Sequence, residues 1–413
     1  MPPIAAMVGA ALCLMNASPS FADDKTSPPP FSLSLRDTLD GWDNAAGGVT
    51  SGGAVLNKLQ VAATLQGDQF GLDGLSVHAQ IFRVDGSSPS RRVGDVQTVD
   101  NIDAEPVTRL FEVWAEKKIG SDERSLAIRV GLMDLNADFD SIQTASLFLN
   151  SSHGIGADLS RSGVDGPSIY PVSAAGIRVS VLPSPRWTFR FAAFDGVSGN
   201  PDHPHAFVST RLAASDGALL VGQGDYHLSD KAKIEAGAWH YTSQTPALAA
   251  MTDRATHDEG AYLSIEGPLP GAPNWSAWGR FGVASGRAQI VDRYVGFGVV
   301  RSGLFKGRND DRIGIAVAQA RIGMQPREKL GLPIAETSIE ASYQLKVGEH
   351  FAAQPDVQYV IHPASGPNIK NALIMGVRLV FTAGYPKPAP PTEASDPTVP
   401  PDGPQPDDAA RSG

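Results

Sequence analysis

The side chains most able to do chemistry in this chain are charged groups placed at alternate positions among apolar neighbours. Glu112, Glu116, Arg129, Arg178, Arg190, Glu266, Arg280, Glu340, Asp356 and Arg378 all fall in such stretches. Guanidinium forks and carboxylates at these positions can exchange hydrogen bonds with sugar hydroxyls, and Trp114, Trp239, Tyr262 or Trp278 could stack on a pyranose ring. Both signs of charge occur, so the single-sign ring of an ion-selective filter is not expected. A plainer reading stands beside this one: the charges pair across a wall and only keep an interior wet. As a set, they are expected to shape permeation.

Strand periodicity is what must position them. In Leu373 to Phe381 one face is Leu373, Met375, Val377, Leu379 and Phe381, all apolar, while the other carries Arg378. A strand buried on both sides would not tolerate Arg378, and a soluble sheet edge would not show so much apolar surface. Lipid on one side and a wet lumen on the other asks for this pattern. It recurs upstream. Phe111, Val113 and Ala115 oppose Glu112, Trp114 and Glu116; Leu126, Ile128 and Val130 oppose Arg129; Ile177 and Val179 oppose Arg178. Trp187, Phe189 and Phe191 oppose Arg190, and Ile339, Ala341 and Tyr343 oppose Glu340. Roughly sixteen or seventeen such segments predict an all-β chain, a transmembrane antiparallel β-barrel of about 16 strands.

Connections alternate short and long, as tight periplasmic turns and long outer loops would. Pro183 to Arg186 and Gly271 to Asn274 are short; Val84 to Pro106 and Asp134 to Val172 are long. Trp187 and Trp275 open strands just after short turns, where an aromatic belt is expected.

The first 22 residues read as a signal peptide: an apolar core from Ile4 to Met15, then Ser20-Phe21-Ala22, with Asp23 the first mature residue. No Lys or Arg precedes that core, which a misassigned start codon would explain. Residues 23–55 form an N-terminal segment with room for a first strand, and 56–381 the barrel. Residues 382–413, rich in Pro, Asp and Ala, form a disordered tail expected in the periplasm.

Several function classes are set aside. The net charge of -10 argues against a nucleic-acid partner. The only cysteine, Cys13, lies in the signal segment, so a disulfide framework is not expected. P-loop, HExxH, GxSxG and dinucleotide-binding patterns are lacking, and no cofactor is expected. Asp134, Asp138 and Asp140 could be imagined around calcium, but their spacing fails the EF-hand rule, so they are read as solvated or pore-facing. His153 has no nucleophile at defined spacing. A barrel esterase, a non-selective pore and a secreted β-sandwich remain as rivals.

Several segments resemble the carbohydrate-selective porins of the OprB type. The closest block is Gly131-Leu-Met-Asp134-Leu-Asn136-Ala-Asp138-Phe139-Asp140, followed by Phe148-Leu149-Asn150-Ser151-Ser152. Tyr170-Pro171, Gly176-Ile177-Arg178 and Phe194-Asp195-Gly196 follow in order, then Glu340-Ala-Ser-Tyr343 and Gln354 to Pro363. The resemblance implies a sixteen-stranded outer-membrane barrel that passes small carbohydrates such as glucose without turnover. It also implies a charged constriction, with Arg129, Asp134, Arg178 and Glu340 placed near it. Outer-membrane lipids, the barrel-assembly machinery and two further copies in a homotrimer are the implied partners. The chain continues past Phe381, a departure from barrels that finish on the aromatic.

Overall fold

A computed structural model describes residues 29–246 and 255–386; the signal segment and residues 387–413 lie outside the described residues, while 382–385, expected in the tail, continue the last strand. Sixteen strands, all antiparallel, close into one ring running from Phe31–Gly48 (β1) and Gly52–Gln66 (β2) to Phe351–Ile361 (β15) and Lys370–Tyr385 (β16). Closure is made by β1 against β16, with Asp40 opposite Arg378 and Leu39 opposite Leu379. The ring therefore begins earlier than the expected residue 56, because β1 and the start of β2 fill the N-terminal segment.

The period-two pattern sorts the side chains. On β16 Met375, Val377 and Leu379 are exposed on the outside, while Ile374, Arg378 and Val380 are buried within. The exposed outer residues Ile128, Ile177, Phe191, Phe281 and Ile339 continue that apolar surface around the ring. Trp187 and Trp275 are exposed too, beside short turns.

One expected face is reversed. Phe111 on β4 (Val107–Gly120) is buried inside, not facing lipid. Between β3 (Leu75–Gly86) and β4, Gln80 pairs with Glu112 but Ile81 pairs with Leu110, so Phe111 is the extra residue of a β-bulge. The bulge shifts the alternation by one, and Phe111 turns in to pack against Phe82 and Tyr170.

A close approach helps to shape the seam. A side chain at Gly376 on β16 would collide with the indole of Trp42, which lies across that backbone. Only glycine leaves room for Trp42 to donate from Nε1 to Asp100 at 2.7 Å.

Candidate functional site

The long segment between β5 (Ser125–Met133) and β6 (Ala174–Ser184) enters the barrel and is pinned to its inner wall. The pins are mostly wall carboxylates that accept backbone N–H groups, a charge-assisted bond that satisfies donors a loop cannot pair for itself. Glu112 accepts from Asp134 N at 3.2 Å. Glu266 accepts from Gln143 N and Thr144 N at 3.1 and 2.7 Å. Glu340, on β14 (Ala335–Val347), accepts from Leu149 N and Asn150 N at 2.5 and 3.0 Å.

Arginines complete the attachment. Arg280, on β11 (Ala272–Ala284), reaches Asp140 at 2.7 Å and Asp158 at 2.5 Å, and all three side chains are essentially inaccessible. Arg129 and Arg178 share Glu116 and Asp138 at 2.7 to 3.2 Å. Apolar loop residues Leu135, Phe139, Ile155 and Leu159 pack on Trp239, Tyr241 and Tyr262 of the wall. One side of the lumen is thus a filled core rather than a channel.

What stays open is a cavity of about 790 Å³ on the opposite side. Its wall is Arg36 and Thr38 of β1, Lys58 and Gln60 of β2, and Arg378 of β16. The inserted loop contributes Asp134, Asn136 and Arg161, and the β3–β4 loop contributes Asn101 and Asp103. Arg378 is held by Asp40 at 2.6 Å and by Asp100 at 2.9 Å, so its guanidinium is fixed rather than swinging. Lys58 Nζ stands 3.9 Å from the centroid of Tyr170, whose hydroxyl donates to Ile102 O at 2.9 Å.

Electrostatics in the loop follow from burial. Asp134 is pushed up to about 7, first by desolvation and then by the neighbouring Glu112 carboxylate, against the bond from Asn136 N–H. His153 lies 3.4 Å from Glu340, a distance that suits an ion pair only if the ring is protonated. Complete burial between Phe148 and Trp278 pushes it down to about 3, so the imidazole is neutral and packs as an aromatic.

Of the residues expected in the pore, Asp134 and Arg378 line this cavity. Glu112, Arg178, Arg280, Glu340 and Asp356 face inward but are buried under the loop, which corrects their assignment as solute contacts. Trp114, Arg129 and Arg190 sit on the inner wall but do not border the cavity. Arg129 is stacked 4.0 Å from the Trp114 ring, and Arg190 is paired with Asp225. Trp239, Tyr262 and Trp278 are buried, so they present no face to a sugar. Arg36, Lys58, Gln60, Asn101 and Arg161 were not singled out from sequence. The alternation around Lys58, with Leu56 and Gln60 on its face, was the available signal.

The pattern of the family described as carbohydrate-selective porin, OprB family, matches residues 50–382. Among curated proteins, Porin AaxA of Chlamydia felis is 28% identical over 106 residues, which is 26% of this chain and 24% of that protein. The chain therefore aligns with only about a quarter of that relative. Among solved structures, the high-pH structure of Pseudomonas putida OprB superposes with a TM-score of 0.75 at 18% identity, covering 86% of this chain and 94% of that one. The outer membrane channel DcaP of Acinetobacter baumannii gives 0.54 at 8% identity, covering 86% and 97%. At these identities the superpositions speak for the fold.

Proposed function

This chain belongs to the carbohydrate-selective porin, OprB family, a β-barrel of the outer membrane, and from that premise we propose that it is a passive channel for small carbohydrates, monosaccharides such as glucose among them. The observation that carries the reading is the cavity beside the inserted loop: a closed wall, apolar outside, around a space bordered by hydroxyl, amide and charged groups. Passage needs weak, multiple contacts, strong enough to admit a solute and weak enough to release it. Thr38, Gln60, Asn101, Asn136, Asp134 and Arg378 supply such contacts to hydroxyl groups. The loop sets the width. No turnover chemistry is part of this reading.

Insertion would be the work of the barrel-assembly machinery, and outer-membrane lipids would cover the apolar band. A homotrimer is part of the same proposal, supported by polar side chains on the outer face of β1 to β3 that lipid does not satisfy. The decisive experiment is single-channel recording of refolded protein in planar bilayers, with liposome swelling in a panel of sugars. Discrete current steps and sugar-dependent block are expected. A membrane left without conductance would end the proposal.

A further inference from the structure

We propose, resting on the channel reading above, that the cavity prefers carbohydrates bearing a carboxylate, with Arg36 and Lys58 as the pair that binds the anion. Register places Arg36 opposite Gln60 and Thr38 opposite Lys58, so the two cations are diagonal neighbours on the inner face of β1 and β2. Both line the cavity.

Their lack of partners sets them apart. The other inner-wall arginines considered above, with Lys233, are each matched by fixed acids: Arg129 and Arg178 by Glu116 and Asp138, Arg280 by Asp140 and Asp158, Arg190 by Asp225, Lys233 by Glu235 and Arg378 by Asp40. Neither Arg36 nor Lys58 has a carboxylate in ion-pair contact among the described residues; the nearest fixed partner of Lys58 is the Tyr170 ring. Across the cavity, Arg161 bonds, among the described residues, to Val96 O and Thr98 Oγ1 and to no carboxylate.

The acids on the cavity lining compete weakly. Asp103 is engaged by Ser88 Oγ at 2.5 Å, Asp134 is partly neutral near pH 7 because burial raises it, and Asp165, also on the lining, makes no ion pair with either cation among the described residues. A carboxylate that reaches Arg36 and Lys58 would complete two charge-assisted bonds, which are stronger than the neutral bonds a hydroxyl makes. Thr38, Gln60 and Asn101 beside them suit the hydroxyls of the same molecule, so a ring carrying both groups fits better than a bare anion.

The test uses the full chain in planar bilayers, with D-glucuronate, D-glucose and acetate as probes. Glucuronate is expected to half-block the wild-type current at roughly a hundred-fold lower concentration than glucose, about ten-fold for each of the two charge-assisted bonds. The Arg36→Gln/Lys58→Gln double variant should bring the two sugars to one concentration, and Arg36→Lys should keep the preference. Equal block of the wild type by both sugars overturns the proposal without recourse to any variant. So does a preference that survives the double variant, or acetate blocking as well as glucuronate. A wild-type protein with no current at all would sink the channel reading instead.

Discussion

Arg280 Nη1 on the barrel wall lies 2.5 Å from Asp158 Oδ1 on the loop that enters the lumen, and its Nε holds Asp140 of the same loop at 2.7 Å. Burial makes this three-membered group an all-or-none device. Removing one partner of a buried ion pair costs about 3–5 kcal/mol, because the remaining charge has no solvent. Arg280→Met would strand two carboxylates at once. The expected result is a barrel that still forms, since no ladder bond is touched, but with a loop partly released. Single-channel conductance should rise and grow noisier, and the folded form should be lost at lower temperature in detergent. Unchanged conductance would show that the loop is held without Arg280.

Asp134 gives the cavity a pH-dependent charge. The groups facing it are Glu112 on β4, Lys58 on β2 and Asp138 in its own loop. With its pKa raised to about 7, the carboxyl is neutral below that pH and anionic above it. Raising the pH from 6 to 8 should therefore shift the reversal potential in a salt gradient towards cations. The stability contribution has the matching sign: a folded-state pKa above the unfolded value favours the fold at low pH, and that advantage is lost as pH rises through about 7. Asp134→Asn should abolish the shift in reversal potential; a shift that persists assigns it to another group.

The wall was legible in the sequence and the filling was not. Period-two alternation marks the outer face of β16 because each outer position there meets the same environment, lipid. Inner positions meet two environments that look alike in sequence. A carboxylate such as Glu340 suits water and suits backbone N–H donors equally, and its donor Leu149 lies 191 positions away. Nothing local tells which applies. Phe111 was misplaced for a related reason, since a bulge is a property of the pairing between β3 and β4 rather than of either strand. Lys58 was overlooked because Tyr170, the ring it meets, lies far along the chain on the inserted loop, whereas Arg36 is its neighbour across the β1–β2 pairing.

Gly376 offers a test of how rigidly the cavity wall is built. Its missing side chain makes room for Trp42, Trp42 binds Asp100, and Asp100 holds Arg378 Nη2 at 2.9 Å. Gly376→Leu should displace the indole and cost about 1–3 kcal/mol, the usual penalty of overpacking. Because Arg378 lines the cavity, block by sugars should weaken along with stability. Loss of stability with an unaltered block would mean that Asp40 and Asn101 suffice to position Arg378.

The outer face of β1 to β3 carries a group that lipid cannot satisfy. Asn57 donates to Asp37 at 2.8 Å, and Arg83 pairs with Asp85 at 2.5 Å with both side chains about half exposed. Register joins them into one patch, for Asn57 lies opposite Asp85, while Leu59 lies between Asp37 and Arg83. An Arg on a barrel's lipid face costs about 2–4 kcal/mol at the bilayer midplane and less towards the interfaces. A second copy presenting an acid to Arg83 and a base to Asp85 from another part of its ring would remove that cost, the head-to-tail contact that a three-fold ring requires. Replacing Arg83 and Asp85 together by Leu should make each barrel more comfortable in lipid and weaken the association between copies. Cross-linking in detergent is expected to trap trimers of the parent and monomers of the double variant, with channel steps retained. Trimers that persist through the double substitution would place the contact on another part of the ring.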